Sequence, residues 1–372
     1  MINLRQYIMR SHFVYILFFF LICLFGFSAS AIPIVDDLED NKDTIVHKDT
    51  LSIIGVGDIM MGTSFPSKKY LHPSGCQVFF SEVGDVLLDT EVLAGNLEGC
   101  LSDTATLVKR CKDTTKCYAF RMPLDFANCL KNQGFDFLSI ANNHSHDFGL
   151  EGLNHTTSVL DSMAIAYAGT PAHSYSLKEK NGIIYGFCAF SPNRGTMSIN
   201  DYKEASEIVR YLNDTADVVI VSFHGGAEGS DYRHVTKETE YFYGENRGNV
   251  YKFAHHVVDA GADVVFGHGP HVTRAVELYK NRLISYSLGN FITYGRFNLK
   301  GPNGIAPVIK AYVSNNGDFL FGEIIPVKQY YSGKIVIDPL RRAVKEIMRL
   351  TQQDFPNAEI TISENGFIRK KN

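Results

Sequence analysis

Five short polar signatures, far apart in the chain, carry residue types that hold metal ions. They are Gly57-Asp58, Gly95-Asn96-Leu97-Glu98, Asn142-Asn143-His144-Ser145-His146-Asp147, His224-Gly225-Gly226 and Gly267-His268-Gly269-Pro270-His271. Asp58, Asn96, Glu98, Asn143, His144, His224, His268 and His271 together offer carboxylate, amide and imidazole donors. That set suits a divalent cation such as Mn, Zn or Fe. Each piece also has a plainer reading. Asp58 can cap a helix, Asn96 and Glu98 can be turn residues, and His224 can be a buried, satisfied histidine. His268 and His271, flanked by glycines and a proline, have the weakest structural explanation. Alternation from His144 turns His146 away, and His155, His173, His234, His255 and His256 read as structural. The stretch Gly55-Val56-Gly57-Asp58-Ile59-Met60-Met61-Gly62 approximates a nucleotide-binding glycine loop. Its third glycine falls too late, however, and no Lys-Ser/Thr follows.

The signatures acquire a common meaning from the elements that precede them. Buried strands are expected over Leu51–Val56, Val92–Ala94, Phe135–Ala141, Val218–Phe223 and Asp263–Gly267, and one signature follows each. Helical spacing marks Leu124–Leu130, Leu153–Met163, Ala205–Leu212 and Val250–Ala260, with Gly134 and Gly261 closing the first and last. Ile183–Phe190, Leu283–Ser287 and Val308–Val313 are further strands. Alternating strands and helices imply an α/β architecture, whose ligand crevice lies beyond the carboxyl ends of the strands. After Val327 the pattern changes: a strand at Ile335–Ile337 and a helix at Leu340–Leu350 form an extension (327–372) packed on the domain at 50–326.

The chain has 372 residues, 45% hydrophobic and 20% charged, with a net charge of −4. This fills a core and argues against a nucleic-acid partner, which calls for a basic face. Arg5 and Arg10 precede an apolar run from Phe13 to Phe27 that ends in Ser28-Ala29-Ser30-Ala31. Residues 1–31 therefore read as a secretory signal cleaved after Ala31, or as an uncleaved N-terminal membrane anchor. In both cases the bulk is exported, periplasmic or extracytoplasmic. Cleavage removes two arginines and no acids, taking the net charge from −4 to −6. Residues 32–49 are an acidic, aperiodic linker. Export favours disulfides among Cys76, Cys100, Cys111, Cys117, Cys129 and Cys188, with one or two expected around residues 100–117. No neighbour marks a catalytic thiol.

The signatures, with Ser222-Phe223 before His224, Asp259-Ala260-Gly261-Ala262-Asp263, and Tyr286-Ser287-Leu288-Gly289-Asn290-Phe291, resemble the bacterial capsule-synthesis CapA family. The likeness runs in order from about Ser52 to about Ile325. That family is associated with poly-γ-glutamate capsules and is similar to calcineurin-like metallophosphoesterases. The resemblance implies a four-layer α/β/β/α sandwich of two mixed sheets flanked by helices. It also implies metal ligands at Asp58, Asn96, Asn143, His224, His268 and His271. His144 becomes the general acid, and Glu98 orients water or binds metal. The implied partners are an anionic cell-surface polymer or its precursor and membrane subunits of a capsule synthase. Two departures bear on the metal. Met60 stands where those enzymes have a histidine, and Asn96 where they have a bridging aspartate, so one tight ion is expected and a second is weak or absent. A non-catalytic polymer-binding, export or scaffold role is the rival to hydrolysis. The tyrosine-rich segment Tyr232–Asn249 reads as a lid or as a solvated connection. Arg274 and Arg296 are candidates to meet an anionic substrate.

Overall fold

Each buried apolar run becomes a strand with two dry faces. The computed structural model describes residues 50–110 and 117–371. The leader and linker expected over residues 1–49 lie outside the described residues, and so does Cys111. Four strands, β1 (Thr50–Met60), β2 (Val92–Leu97), β3 (Phe137–Ser139) and β4 (Ala166–Ala168), open a large sheet. Six more form a second sheet: β5 (Tyr175–Lys180), β6 (Ile183–Phe190), β7 (Val218–His224), β8 (Val264–His268), β9 (Val276–Tyr279) and β10 (Arg282–Ser285). The chain then returns to the first sheet through β11 (Asn290–Thr293), β12 (Ile305–Ser314), β13 (Phe319–Gln329), β14 (Ile335–Ile337), β15 (Ile360–Ile362) and β16 (Phe367–Lys370). The ten-stranded sheet runs β15-β16-β13-β12-β1-β2-β3-β4, with β11 pairing β1 and β14 pairing β13. The six-stranded sheet runs β9-β10-β8-β7-β6-β5. Both mix parallel and antiparallel pairs.

Alternation along the strands divides the core. Ile53, Val92 and Phe137 of the large sheet meet Phe187, Ile220 and Val264 of the small one. The rings of Phe137 and Phe187 stack there with centroids 5.1 Å apart. Their strand neighbours point outward: Ile54, Leu93 and Leu138 pack on α1 (Gly84–Leu88), α2 (Phe126–Asn132) and α3 (Gly149–Ser162). On the opposite side, Val219, Val221 and Val265 pack on α4 (Tyr202–Thr215) and α5 (Val250–Ala260). This period of two produces the expected four-layer α/β/β/α sandwich. Asp201 and Asn249 cap α4 and α5 by accepting from Glu204 N and Lys252 N at 3.0 and 2.8 Å, while Gly261 closes α5 in the left-handed region at φ 119°. A last helix, α6 (Arg342–Asp354), packs its apolar face on β12 and β13.

Several elements differ from the sequence pattern. β1 runs four residues past Val56, so Gly57 and Asp58 lie within the strand rather than after it. The run Phe135–Ala141 keeps only three residues in a strand. β5 escapes a hydrophobicity reading because Tyr-Ser-Leu-Lys-Glu-Lys alternates exposed and half-buried positions at a sheet edge. The described disulfide is Cys76–Cys129, which ties the turn before α1 to α2, and Cys117 is disulfide-bonded as well. Cys100, expected near the stapled loop, is a buried free thiol, as is Cys188. Burial pushes the Cys100 thiol up to about 12, so neither its exposure nor its acidity suits chemistry. Among the described residues, no helix is long and apolar enough to cross a membrane.

Candidate metal centre

The site forms because cross-strand register in parallel strands puts polar residues side by side, at or near the carboxyl ends of β1, β2, β7 and β8 and at the start of β11. Asp58 in β1 pairs with Asn96 in β2 on one side and with Asn290 in β11 on the other. In the second sheet His224 is registered against His268. Glycines let these ends close up. A Cβ on Gly57 would lie 2.0 Å from Gly289 O, and the neighbouring Asp58 N donates to that same carbonyl at 2.9 Å. Gly269, at φ 113°, leaves no room for a Cβ against the backbone of Gly225, whose N–H donates to His268 O. His271 itself sits at φ 57°, an uncommon conformation for a non-glycine residue and one that recurs at functional sites.

Asp58 is at the centre. Its Oδ1 accepts from Asn96 Nδ2 at 2.8 Å and lies 3.4 Å from His268 Nδ1, while His271 Nδ1 donates to Oδ2 at 3.0 Å. Burial opposes its charge, but the two imidazoles win and hold the carboxyl well below the usual range. Glu98 is equally buried, with Oε1 3.6 Å from His271 Nε2 and 3.9 Å from His144 Nε2. Burial pushes it up to about 8 against the pull of His271. Burial works the other way on His271, yet Glu98 and Asp58 raise it to about 10. His144 donates from Nδ1 to Asp147 Oδ2 at 2.7 Å, and Asp147 also pairs with Lys109 at 2.8 Å. Burial lowers His144 despite Asp147.

Asp58, Glu98 and His271 each offer a ligand atom within 4.8 Å of the others. Both carboxylate oxygens of Glu98, Asn143 Oδ1, His224 Nδ1 and His268 Nδ1 are buried without a hydrogen-bond partner. Orphaned buried polar atoms are rare, and here they gather in one place. Donor separations of 3.4 and 3.6 Å also match the edges of a coordination shell with bonds of about 2.0–2.2 Å. The residues present fit a divalent cation.

Beside these donors lies a cavity of about 720 Å³, lined among others by Asn143, His144, Glu228, Phe242, Tyr243, His271, Arg296 and Phe297. Phe242 and Tyr243 come from a short hairpin, Tyr241–Phe242 against Glu245–Asn246, within the segment that read as a lid or connection. Arg296 lines the cavity, its guanidinium donating to Cys117 O at 2.6 Å and lying over the rings of Tyr70 and Tyr118. Arg274 does not meet the cavity as expected. It is buried and bonds Glu240 through both Nη atoms at 2.7 Å, so its charge is already answered. Met60 is fully buried.

Sequence reasoning missed four residues. Asn142 ties the site together: its Nδ2 donates to Asn96 Oδ1 at 3.1 Å and its Oδ1 accepts from His144 N at 3.0 Å. Asn290 Oδ1 accepts from His271 Nδ1 at 3.1 Å; its place in the Tyr286–Phe291 motif was the available signal. Arg247 and Glu228 pair at 3.0 Å next to His224, and no spacing announced them.

Known proteins bear out the family likeness. The chain is 28% identical over 267 residues to the capsule biosynthesis protein CapA of Bacillus anthracis, covering 66% of this chain and 60% of that protein. It is 28% identical over 271 residues to the PGA biosynthesis protein CapA of Bacillus subtilis (strain 168), covering 68% and 66%. The match thus spans less than two thirds of either relative. Among solved structures, a hypothetical protein from Thermus thermophilus superposes with a TM-score of 0.43 at 16% identity, covering 75% of this chain and all of that one. A 5'-nucleotidase precursor from the same organism gives 0.41 at 11%, covering 82% and 59%. The model of the bacterial capsule synthesis protein family PGA_cap matches residues 52–294, and the chain belongs to that family.

Proposed function

We propose that this protein is an exported, metal-dependent hydrolase of capsule synthesis, acting on an anionic cell-surface polymer or its phosphoester precursor alongside membrane subunits of a synthase. Membership of the capsule-synthesis family supports the pathway. The charged-then-apolar N-terminus and the Cys76–Cys129 disulfide support export. One observation carries the hydrolase reading: Glu98 is buried with both carboxylate oxygens unpartnered, beside Asp58 and His271. A buried carboxyl with no hydrogen-bond partner is costly to leave unanswered, and a cation between it and Asp58 would answer it. Asp58, Glu98, His268 and His271 would hold it, with Asn96 and Asn143 as further donors. Such an ion supplies Lewis-acid polarisation of a phosphoryl or carbonyl oxygen. Asp147 fixes the Nδ1–H tautomer of His144 and leaves Nε2, on the Glu98 side, to hold and deliver a proton to the leaving group. Arg296 brings positive charge to the cavity lining, where it suits an anionic substrate.

The test is turnover of bis(p-nitrophenyl) phosphate by the full chain loaded with Mn²⁺ or Zn²⁺. Turnover that falls at least about 100-fold in His271→Ala supports the reading, in keeping with the loss of a group acting in the transition state. The alternative is a non-catalytic polymer-binding or export component. It draws support from Asn96, whose neutral amide occupies one lone pair of Asp58. Tight binding of a polyanion with no turnover under any divalent ion would decide for it.

A further inference from the structure

Arg247 is an arginine in an unusual place. It is 2% exposed, yet its guanidinium stands among candidate metal donors. Its Nη2 lies 3.4 Å from His224 Nε2 and 3.0 Å from Glu228 Oε1, and its Nε donates to Gly226 O at 3.2 Å. Arginine has donors only and stays protonated, so in the contact with His224 the imidazole must accept. The lone pair on Nε2 is therefore taken, the ring is neutral, and its hydrogen is on Nδ1. A nitrogen lone pair serves one partner. An ion bound at Nε2 would sit about 2.0–2.1 Å from that atom, and no ion can share the space with a guanidinium hydrogen.

Charge gives the same answer independently. The carboxylates around the centre are Asp58, Glu98 and Glu228, and Arg247 is the fixed cation that faces them. With the carboxylates ionised and the imidazoles neutral, as a bound ion requires, three negative charges and one positive leave −2, which one divalent ion cancels. A second ion would leave two uncompensated positive charges in a buried site, a costly arrangement without further anions. Asn96 contributes no charge between the two halves of the site, although Asp58 sits directly beside it.

We infer that the centre holds a single divalent ion, on the Asp58/Glu98/His271 side, and that Arg247 occupies the place of a second cation beside His224. Arg247 is thus a positioning residue: it withdraws His224 from coordination and sets the metal count. This rests on the reading that the site binds a divalent ion.

The experiment uses the full chain, stripped with chelator and dialysed against Mn²⁺. Metal content is measured by mass spectrometry and the bound ion by electron paramagnetic resonance. The wild type should retain one Mn²⁺ per chain with the six-line spectrum of an isolated ion. A second ion should bind at least about 100-fold more weakly, the scale on which a disturbed ligand environment acts. Arg247→Ala should take up close to two ions, with spin-coupled broadening, while Arg247→Lys should stay nearer one. Two ions in the wild type would overturn the inference and leave the metal site standing. No ion in the wild type would overturn both. An Arg247→Ala protein that still binds one ion would show that the guanidinium does not set the count. Should that variant fail to fold, wild-type stoichiometry and the Arg247→Lys spectrum still decide.

Discussion

Glu240 and Glu98 are both buried glutamates, and they are treated in opposite ways. Glu240 accepts from Arg274 Nη1 and Nη2 at 2.7 Å each and from Ala227 N at 2.9 Å. Both its oxygens are satisfied. Glu98 is more deeply buried, and neither oxygen has a hydrogen-bond partner. The first is a closed ion pair that pins the connection between β8 and β9, which carries Arg274, against the segment carrying the hairpin. The second is an open donor. A buried carboxyl left without a hydrogen bond points to a ligand, because His271 Nε2 at 3.6 Å only partly answers its desolvation.

Breaking the closed pair should have the largest effect. Glu240→Ala leaves Arg274 buried and unpaired, so unfolding in urea should show a loss of about 3–5 kcal/mol. A loss below about 1 kcal/mol would mean that the pair does not hold this loop. Glu98→Gln should behave in the reverse sense. The metal-stripped variant should be at least as stable as wild type, since a neutral amide replaces a carboxyl that burial already holds largely protonated at neutral pH. Its affinity for Mn²⁺ in titration calorimetry should drop by more than about 100-fold, the loss of a direct donor exceeding that of an outer partner. A destabilisation matching that of Glu240→Ala would make Glu98 structural and erase the contrast.

Asp263 sharpens the comparison from between the two extremes. Its carboxyl accepts from Val219 N at 2.7 Å and lies 3.2 Å from Arg282 Nε, but burial still pushes it up to about 6. A carboxyl with a raised folded pKa binds more protons folded than unfolded, so stability falls as pH rises from about 4 to 6 and levels off above. Denaturation midpoints at pH 5 and 7 should therefore decline less in Asp263→Asn than in wild type, by on the order of 1–2 kcal/mol. Equal slopes would remove Asp263 from the series.

How much of this was readable in advance follows from distance along the chain. Asp58, Asn96, His144, His224, His268 and His271 all sit at or just beyond runs of buried apolar residues, and such runs are local. A strand that ends places its next polar residue at the crevice, so these candidates could be named from sequence. Arg274 could not be assigned correctly, because its partner Glu240 lies 34 positions away, beyond β8 and α5, in a loop with no periodic pattern. Arg247 and Glu228 share that loop region and were invisible for the same reason. Asn142 looked like a turn residue beside Asn143. Only the pairing of β2 with β3 brings it to Asn96.

Amino-acid order alone determined the alternation of strands and helices, the mixed α/β class, the family likeness and the list of donor types, since each depends on short-range periodicity or on residue identity. The tertiary structure decided which charges are answered and which are left open. It seated Arg274 on Glu240, stood Arg247 against His224, and left Glu98 bare between two histidines. The reason is physical: electrostatic energy depends on separations of a few ångströms and on exclusion of water. Both are set by how two sheets pack, not by spacing along one chain.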